Sequence, residues 1–226
     1  MYPRLIWVML VGVFLAGGVG CGRGHVRHTR TRESVARQLG CYLADQFPGA
    51  RALILSNPFT RSEKCPDMVR RFEQAALKGL KAGFGGRITT AAVVYPELRP
   101  GAERRPLAMV RFPTPTPLSY LMAPGQLTRV AGEHADCRLI VSLIGIPAGL
   151  PGEPLWQWGD RVSLAFLLPD FQVLDRPELV REAFASGLFA AAVVEQSGED
   201  GTQRFQLVTP QNVDRILSRM AFSGYQ

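Results

Sequence analysis

Residues 139–146 read LIVSLIGI, and three further runs along the chain share the same character. These are ALILS at 52–56, VSLAFLL at 162–168 and LFAAAVV at 188–194. Each run lacks the regular polar alternation of a strand that has one face in water. Strands of this kind are typical of parallel sheets that are covered by helices on both faces. The runs therefore predict the buried strands of a parallel β-sheet.

Stretches with helical periodicity separate these runs. Helices are predicted over 33–47, from Pro66 to the glycines at 83–86, over 124–134, over 175–186 and from Pro210 onward. Asp175 is predicted to cap its helix, because Glu178 follows three residues later in a capping-box arrangement. Thr209 is predicted to cap the last helix, with Pro210 in its first position.

Three further segments have the composition of strands. RITTAAVV at 87–94 is predicted to be a strand, and residues 204–208 are predicted to pair with their predecessor in a hairpin. Another strand is predicted at 107–112, inside a proline-rich surface segment. With about six strands in alternation with helices, the prediction is an α/β fold, a three-layer Rossmann-like and mostly parallel sheet with helices on both faces. Residues 33–226 are predicted to form this single domain.

The first twenty residues have the layout of an export signal. Arg4 precedes the apolar run LIWVMLVGVFLA at 5–16, and small residues follow it. The Gly20-Cys21 pair after this run resembles the signal of a bacterial lipoprotein, in which the cysteine thiol is lipidated and becomes the new N-terminus. The resemblance implies a signal peptide over 1–20 and an anchor of fatty-acyl chains such as palmitate on Cys21.

The resemblance also implies a location at the cell envelope, with the protein facing the periplasm or the cell exterior. Gly22 stands where an aspartate would retain a lipoprotein at the inner membrane, so the outer membrane is favoured. Two alternatives stay open. One is ordinary cleavage after Gly20, which leaves Cys21 as a free thiol, and the other is an uncleaved anchor, for which the apolar run is short.

Residues 21–32 are predicted to form a flexible basic tether. They carry four arginines and no acid, at positions 23, 27, 30 and 32. The chain has a formal net charge of +7, and much of it comes from this segment. The rest is only mildly basic, so no nucleic-acid partner is predicted. The predicted partners are membrane lipid through Cys21 and a small solute or an envelope protein.

The cysteine and histidine spacings predict no metal site. Cys41, Cys65 and Cys137 fit no zinc pattern, and His25 and His28 have no third ligand nearby. A Cys41–Cys65 disulfide and three separate buried thiols both remain open. The glycines at 83–86 precede a strand, whereas a dinucleotide loop must follow one, so no cofactor is predicted.

Candidate binding residues come from a rule for open α/β sheets, whose ligands gather beyond the carboxyl ends of the strands. The residues that follow strands and can form hydrogen bonds are Ser56, Asn57, Thr60, Tyr95, Glu97 and Asp170. Trp156 and Trp158, in the loop 148–160, could stack on a sugar or another flat group. The alternative is that Asn57 belongs to a plain turn and that both tryptophans pack against the edge of the sheet.

The segment LVTPQNVD at 207–214 resembles the closing segment of type I periplasmic sugar-binding proteins. The stretch ALILSN at 52–57, with a helix beyond it, also suits the α/β lobes of that family. The resemblance implies an exported fold that clamps a small solute between two lobes. Without the signal, 226 − 20 = 206 residues remain, which make roughly one lobe plus extra segments.

These observations lead to three functional hypotheses. The first is a lipid-anchored envelope binding protein without catalytic activity, which recognises a small solute or an envelope partner at the carboxyl edge of the strands. The second is an envelope hydrolase that uses Asp170 or Glu97 together with Ser56. The third is an assembly lipoprotein that docks another protein through the proline-rich segment 95–117 and the tryptophan loop.

Overall fold

The computed structural model describes residues 23–111, 114–197 and 203–220. The predicted signal peptide over 1–20 and Cys21 lie outside the described residues. The helices in the described part are α1 (Arg23–Gln46), α2 (Asp67–Phe84), α3 (Leu118–Leu121), α4 (Gln126–Glu133), α5 (Pro177–Ala185) and α6 (Val213–Leu217). The strands are β1 (Arg51–Leu55), β2 (Thr89–Val94), β3 (Leu139–Ser142), β4 (Ser163–Leu167), β5 (Phe189–Ser197) and β6 (Gln203–Val208).

The six strands form one sheet in the order β2-β1-β3-β4-β5-β6. All neighbours from β2 to β5 pair in parallel, and β6 pairs antiparallel with β5. The predicted fold class, a mostly parallel six-stranded α/β sheet, is therefore confirmed. The predicted hairpin is confirmed as well, with Val208 opposite Ala192.

Helices cover both faces of the sheet, which gives the predicted three layers. Ile54, Val141 and Leu167 point to the face that carries α1 and α2. The neighbouring positions along the same strands, such as Ile140 and Phe166, point to the opposite face, which carries α4, α5 and α6. Both kinds of position are almost fully buried, which explains why the strands read as continuous apolar runs.

The helices α1 and α2 pack so closely that their backbones are in contact. A Cβ atom on Gly79 would overlap the carbonyl group of Glu33, and one on Gly83 would overlap the carbonyl group of Arg37. A Cβ atom on Gly40 would stand 2.5 Å from the carbonyl oxygen of Leu80. Only glycine permits this contact, which holds the two helices in one register.

The first helix begins earlier than predicted. It starts at Arg23 rather than at Glu33, so residues 23–32 are helical and the predicted flexible tether is wrong over this range. With 24 residues, α1 is about 36 Å long, whereas a five-residue strand spans about 17 Å. Since α1 ends just before β1 begins, its first turns extend past the carboxyl edge of the sheet.

Three other local predictions are corrected. The strand predicted at 107–112 does not form over its described residues, 107–111, since Pro106–Met109 is a turn of 3₁₀ helix. Asp175 does not cap α5, which begins at Pro177; Asp175 instead adopts a left-handed φ of 63°. Thr209 does not cap α6 either, because Asn212 precedes that helix and its Oδ1 accepts a hydrogen bond from the backbone N–H of Thr209.

The three cysteines of the described part are free, so the Cys41–Cys65 disulfide is not formed. Cys41 is exposed on α1, whereas Cys65 and Cys137 are buried. Burial raises the pKa of both buried thiols, which then behave as small apolar side chains. No described helix is long and apolar enough to cross a bilayer.

Candidate functional site

A cavity of about 300 Å³ lies at the carboxyl edge of the sheet. Asn57 after β1, Leu143 after β3 and Asp170 after β4 all line it. The chain continues from β1 to β2 on one side, while β3 lies on the other side of β1. The loops that leave β1 and β3 therefore diverge, which opens a crevice at the usual ligand position of such sheets.

The remaining walls come from helices and one loop. Arg32 on α1 and Glu73 on α2 close one side, and residues 115–118 close another. Much of the lining is apolar, and it includes Val69, Phe72, Ile144, Leu168 and Met220. A mostly apolar cavity with a few polar groups is typical of small-molecule sites.

A buried ion pair joins the two helices at the cavity wall. Arg32 Nη2 lies 3.3 Å from Glu73 Oε2 and also donates to the carbonyl oxygen of Leu143 at 2.9 Å. The other carboxylate oxygen of Glu73 accepts from Ser56 Oγ at 2.7 Å and from the backbone N–H of Asn57 at 3.0 Å. Four elements, α1, α2, β1 and β3, are thus connected through one carboxylate and one guanidinium.

Arg32 keeps a buried hydrogen-bond donor without a partner among the described residues. Its Nε is buried and has no hydrogen-bond partner within the described ranges. The guanidinium lies over the ring of Phe72, with its central carbon 4.4 Å from the ring centroid. Burial lowers the pKa of Arg32, and the charge of Glu73 opposes this effect.

Two further carboxylates line the cavity, and neither forms an ion pair in the part of the chain that is described. Asp170 Oδ2 accepts from Thr114 Oγ1 at 2.6 Å, and its Oδ1 accepts from the backbone N–H of Gln172 at 3.0 Å. Glu195 lies on β5 and is half-buried, and this burial raises the pKa of its carboxyl group. The pKa of the buried Tyr120 phenol is also raised, by burial first and then by the charge of Asp170.

The predicted residues around β1 fall into different places. Asn57 lines the cavity, although its Oδ1 already accepts from the backbone N–H of Phe59. Ser56 is fully buried behind the wall and donates to Glu73. Thr60 donates its hydroxyl to the carbonyl oxygen of Asn57 and does not line the cavity.

Tyr95 and Glu97 lie in a separate and more open groove. The groove has a volume of about 1300 Å³ and is lined by residues 58–64 and 95–104 in part. Glu97 forms an ion pair with Arg129 at 3.1 Å, and the guanidinium of Arg61 lies over the Tyr95 ring at 5.6 Å. The structure therefore does not bring these two residues together with Asn57 and Asp170.

Both tryptophans pack against the core, away from the cavity. Trp156 is only 7% exposed, its ring meets Phe189 edge-on at 6.0 Å, and its indole N–H donates to Glu182. Phe189 is the first residue of β5, so this contact lies near the amino edge of the sheet. Trp158 packs on the same core, with the Arg161 guanidinium 5.9 Å from its ring. The structure thus favours the packing interpretation over stacking on a ligand.

Sequence reasoning missed Arg32, Glu73 and Glu195. Arg32 was assigned to a tether, so no contact was expected for it. A signal for Glu73 existed, because the residue interrupts the inner stripe of α2, four residues after Val69 and three before Ala76. A carboxylate inside an apolar stripe needs a buried partner.

The site holds no metal cluster: no group of three or more acidic, histidine or cysteine side chains in the described residues has the geometry to bind an ion. The sequence matches no model of a protein family and no curated protein.

Several solved structures are similar to this chain in fold, at low sequence identity. One is the substrate-binding protein of a sugar ABC transport system from Bordetella parapertussis, with 10% identity and a TM-score of 0.48, over 86% of this chain and 59% of that one. Another is a periplasmic solute-binding protein from Actinobacillus succinogenes with bound D-allose, with 8% identity and a TM-score of 0.48, over 81% and 62%.

A third is a carbohydrate transporter from Acidothermus cellulolyticus in complex with myo-inositol. It has 12% identity and a TM-score of 0.49, over 87% of this chain and 63% of that one. The chain thus spans less than two thirds of the length of each of these three proteins.

Proposed function

We propose that this chain is a lipid-anchored binding protein of the cell envelope, without catalytic activity, which holds a small solute in the cavity beside Arg32 and Glu73. The observation that carries the proposal is the buried ion pair at the point where the strand order reverses. It lines a cavity of about 300 Å³, which is the lower end of the range for small-molecule sites.

The ion pair supports a binding role because a buried pair is a poor device for stability alone. Removing both charges from water costs several kcal/mol per ion, and well-packed apolar side chains often serve stability equally well. Here the pair connects four elements around a cavity and thereby fixes the positions of the lining groups. A preformed site of this kind lowers the entropic cost of binding a solute.

The hydrolase hypothesis finds no support in the geometry. Ser56 is fully buried and donates to Glu73, so its hydroxyl is not presented to the cavity. Neither Glu97 nor Asp170 is hydrogen-bonded to it, since Glu97 pairs with Arg129 and Asp170 accepts from Thr114. The residues described here therefore contain none of the pairs that this hypothesis required.

The structure does not support the docking hypothesis at the tryptophan loop. It needed an exposed apolar patch around Trp156 and Trp158, but Trp156 is buried and Trp158 is packed on the core. A large exposed apolar patch is what usually marks a protein–protein site.

A co-purification experiment tests solute binding. The full chain is purified from its own host and analysed by native mass spectrometry, together with two variants. Met220→Trp places a large ring in the cavity, whereas Leu107→Trp adds the same ring at an exposed position, where Leu107 is 49% exposed. We expect a small molecule at stoichiometric amount with the unmodified chain and with Leu107→Trp, and its loss with Met220→Trp.

Two results would contradict solute binding. One is the absence of any bound small molecule from the unmodified chain, and the other is equal occupancy in both tryptophan variants. Unfolding midpoints of both variants show whether the Met220 change has damaged the fold instead.

The anchor is proposed on the signal-like segment, residues 1–20, and on Cys21. One acyl chain binds a bilayer only marginally, so stable attachment requires two or more chains on the cysteine. Cys21→Ser should move the protein from the membrane fraction to the soluble fraction of the envelope. Retention of this variant in the membrane fraction would argue against lipidation.

A further inference from the structure

We infer that the solute is a small organic cation, whose ammonium group binds between Asp170 and Glu195 while its apolar body fills the rest of the cavity. This inference rests on the proposed function, because it names the chemical class of ligand for the same cavity.

The charges that line the cavity favour a cation. Arg32 and Glu73 form an ion pair and neutralise each other. Asp170 and Glu195 then remain as acidic groups without a cationic partner among the described residues. In a partly apolar cavity their field is screened less than in water, so an anionic solute would be repelled and a cation attracted.

The hydrogen-bond capacity of the lining favours the same class. The Thr116 hydroxyl lies within hydrogen-bond distance of the hydroxyls of both Thr114 and Ser119. The unused capacity consists mostly of carboxylate oxygens, since each ionised carboxylate offers about four acceptor sites. A head group with several N–H donors satisfies these acceptors better than a hydroxyl, which has a single donor.

The other walls suit an apolar body. Val69, Ile144 and Met220 offer aliphatic or thioether surface to a ligand. The face of Phe72 that stacks on the Arg32 guanidinium is already covered, so this ring offers less area for a flat polar group. Methylene groups or a saturated ring would displace water from this surface favourably.

The half-buried state of Glu195 adds support. Burial raises the pKa of its carboxyl group, which means that the protein surroundings of Glu195 disfavour the charged form. An ammonium group beside it would compensate this cost. The buried Arg32 Nε–H has no partner in the described ranges and is available to donate a hydrogen bond to a hydroxyl or carbonyl oxygen on the ligand.

Three probes share a cyclohexane ring and differ only in the polar head group, so they test the head group separately from the apolar body. They are cyclohexylamine in its protonated form, cyclohexanol and cyclohexanecarboxylate. Their binding to the full chain is measured by isothermal titration calorimetry near neutral pH. Hydrogen bonds to charged groups are about twice as strong as neutral ones, so we expect the ammonium probe to bind at least about tenfold more tightly than the alcohol. The carboxylate should bind most weakly.

Three variants locate the effect. Asp170→Asn and Glu195→Gln should each weaken the ammonium probe about tenfold and leave the alcohol unchanged. Asp160→Asn removes the same charge from an exposed position outside the cavity and should change neither. Thermal unfolding of each variant confirms that it is folded.

The outcomes distinguish this inference from the proposed function. Binding of the alcohol or the carboxylate as tight as that of the ammonium probe would overturn the cation assignment and leave solute binding intact. Equal weakening of all probes by the two cavity variants would also overturn it, because it would indicate a structural role. Failure of every probe to bind would overturn it too, and the co-purification experiment then decides separately whether the cavity holds a solute.

Discussion

Replacing Glu73 by glutamine should destabilise the fold more than any exposed charge substitution. The variant keeps one carbonyl oxygen to which the Ser56 hydroxyl and the backbone N–H of Asn57 can donate, but this acceptor is neutral. It also leaves the guanidinium of Arg32, which is only 8% exposed, without its counter-charge. Breaking a buried pair by removing one charge costs about 3–5 kcal/mol of unfolding free energy, and we expect Glu73→Gln to fall near the lower end, about 3 kcal/mol.

The double variant Arg32→Met/Glu73→Gln gives the decisive comparison. It removes both charges and keeps an acceptor for Ser56 and Asn57. We therefore expect it to be more stable than Glu73→Gln, with a coupling free energy of about 2 kcal/mol or more between the two positions. The assay is urea unfolding of the four proteins of the cycle, followed by tryptophan fluorescence at constant pH and salt.

An exposed pair provides the control. Arg87 and Asp45 form an ion pair in which the side chains are 50% and 62% exposed. Arg87→Met should cost less than about 1 kcal/mol, because water screens and replaces that interaction. The reasoning would be refuted by a Glu73→Gln cost below that of Arg87→Met, or by costs that simply add in the double variant.

Three further predictions address the helix pair, the acidic wall and the thiols. Gly79→Ala should destabilise the folded chain by about 1–3 kcal/mol in thermal unfolding, because its Cβ would overlap the carbonyl of Glu33. Gly132→Ala on α4 has open space for the added methyl group and should stabilise the folded chain by about 0.5–1 kcal/mol. Glu195→Gln should raise the unfolding free energy at neutral pH. The pKa of the Glu195 carboxyl group is higher in the folded chain than its value of 4.5 in the unfolded chain, so the wild-type chain loses stability as the pH rises above 4.5. The difference in unfolding free energy between the variant and the wild type should therefore close in acid. A fall in stability at neutral pH would contradict this. Cys41 should react with iodoacetamide in the folded chain, and the two buried cysteines should react only after unfolding. Mass spectrometry of the labelled chain measures this order, and labelling of the buried cysteines before Cys41 would contradict the prediction.

Much of the sheet was predictable from the sequence. The run at 139–146 predicted β3, although the strand itself stops at Ser142. The run at 52–56 likewise predicted β1, and the run at 188–194 predicted the start of β5. The signal is strong because both faces of each strand are buried along most of its length, so most positions along the strand have to be apolar.

Part of the candidate site was also predictable. Asn57 and Asp170 line the cavity because a parallel arrangement places the carboxyl ends of neighbouring strands along one edge. The same rule was too coarse for Tyr95 and Glu97, which follow the edge strand β2 and face a different groove. Local sequence names the strand end but not the direction in which the loop turns after it.

The tryptophan loop shows where composition is ambiguous. Trp156 could have stacked on a ligand or packed on the core, since both uses require a large apolar ring with one N–H donor. The choice was made by Phe189 and Glu182, which supply an edge-on ring and a carboxylate acceptor. Neither partner is close to Trp156 in sequence.

By itself, the sequence determined the six strands of the sheet and most of the described helices, because those depend on the periodicity of apolar residues over short windows. The tertiary structure alone decided that Arg32 meets Glu73, 41 positions away, at the edge of the sheet. That meeting depends on how closely α1 and α2 pack at Gly79 and on how far α1 extends past the strands. Charges this distant along the chain attract each other only after the apolar layers have brought them together and removed the water between them.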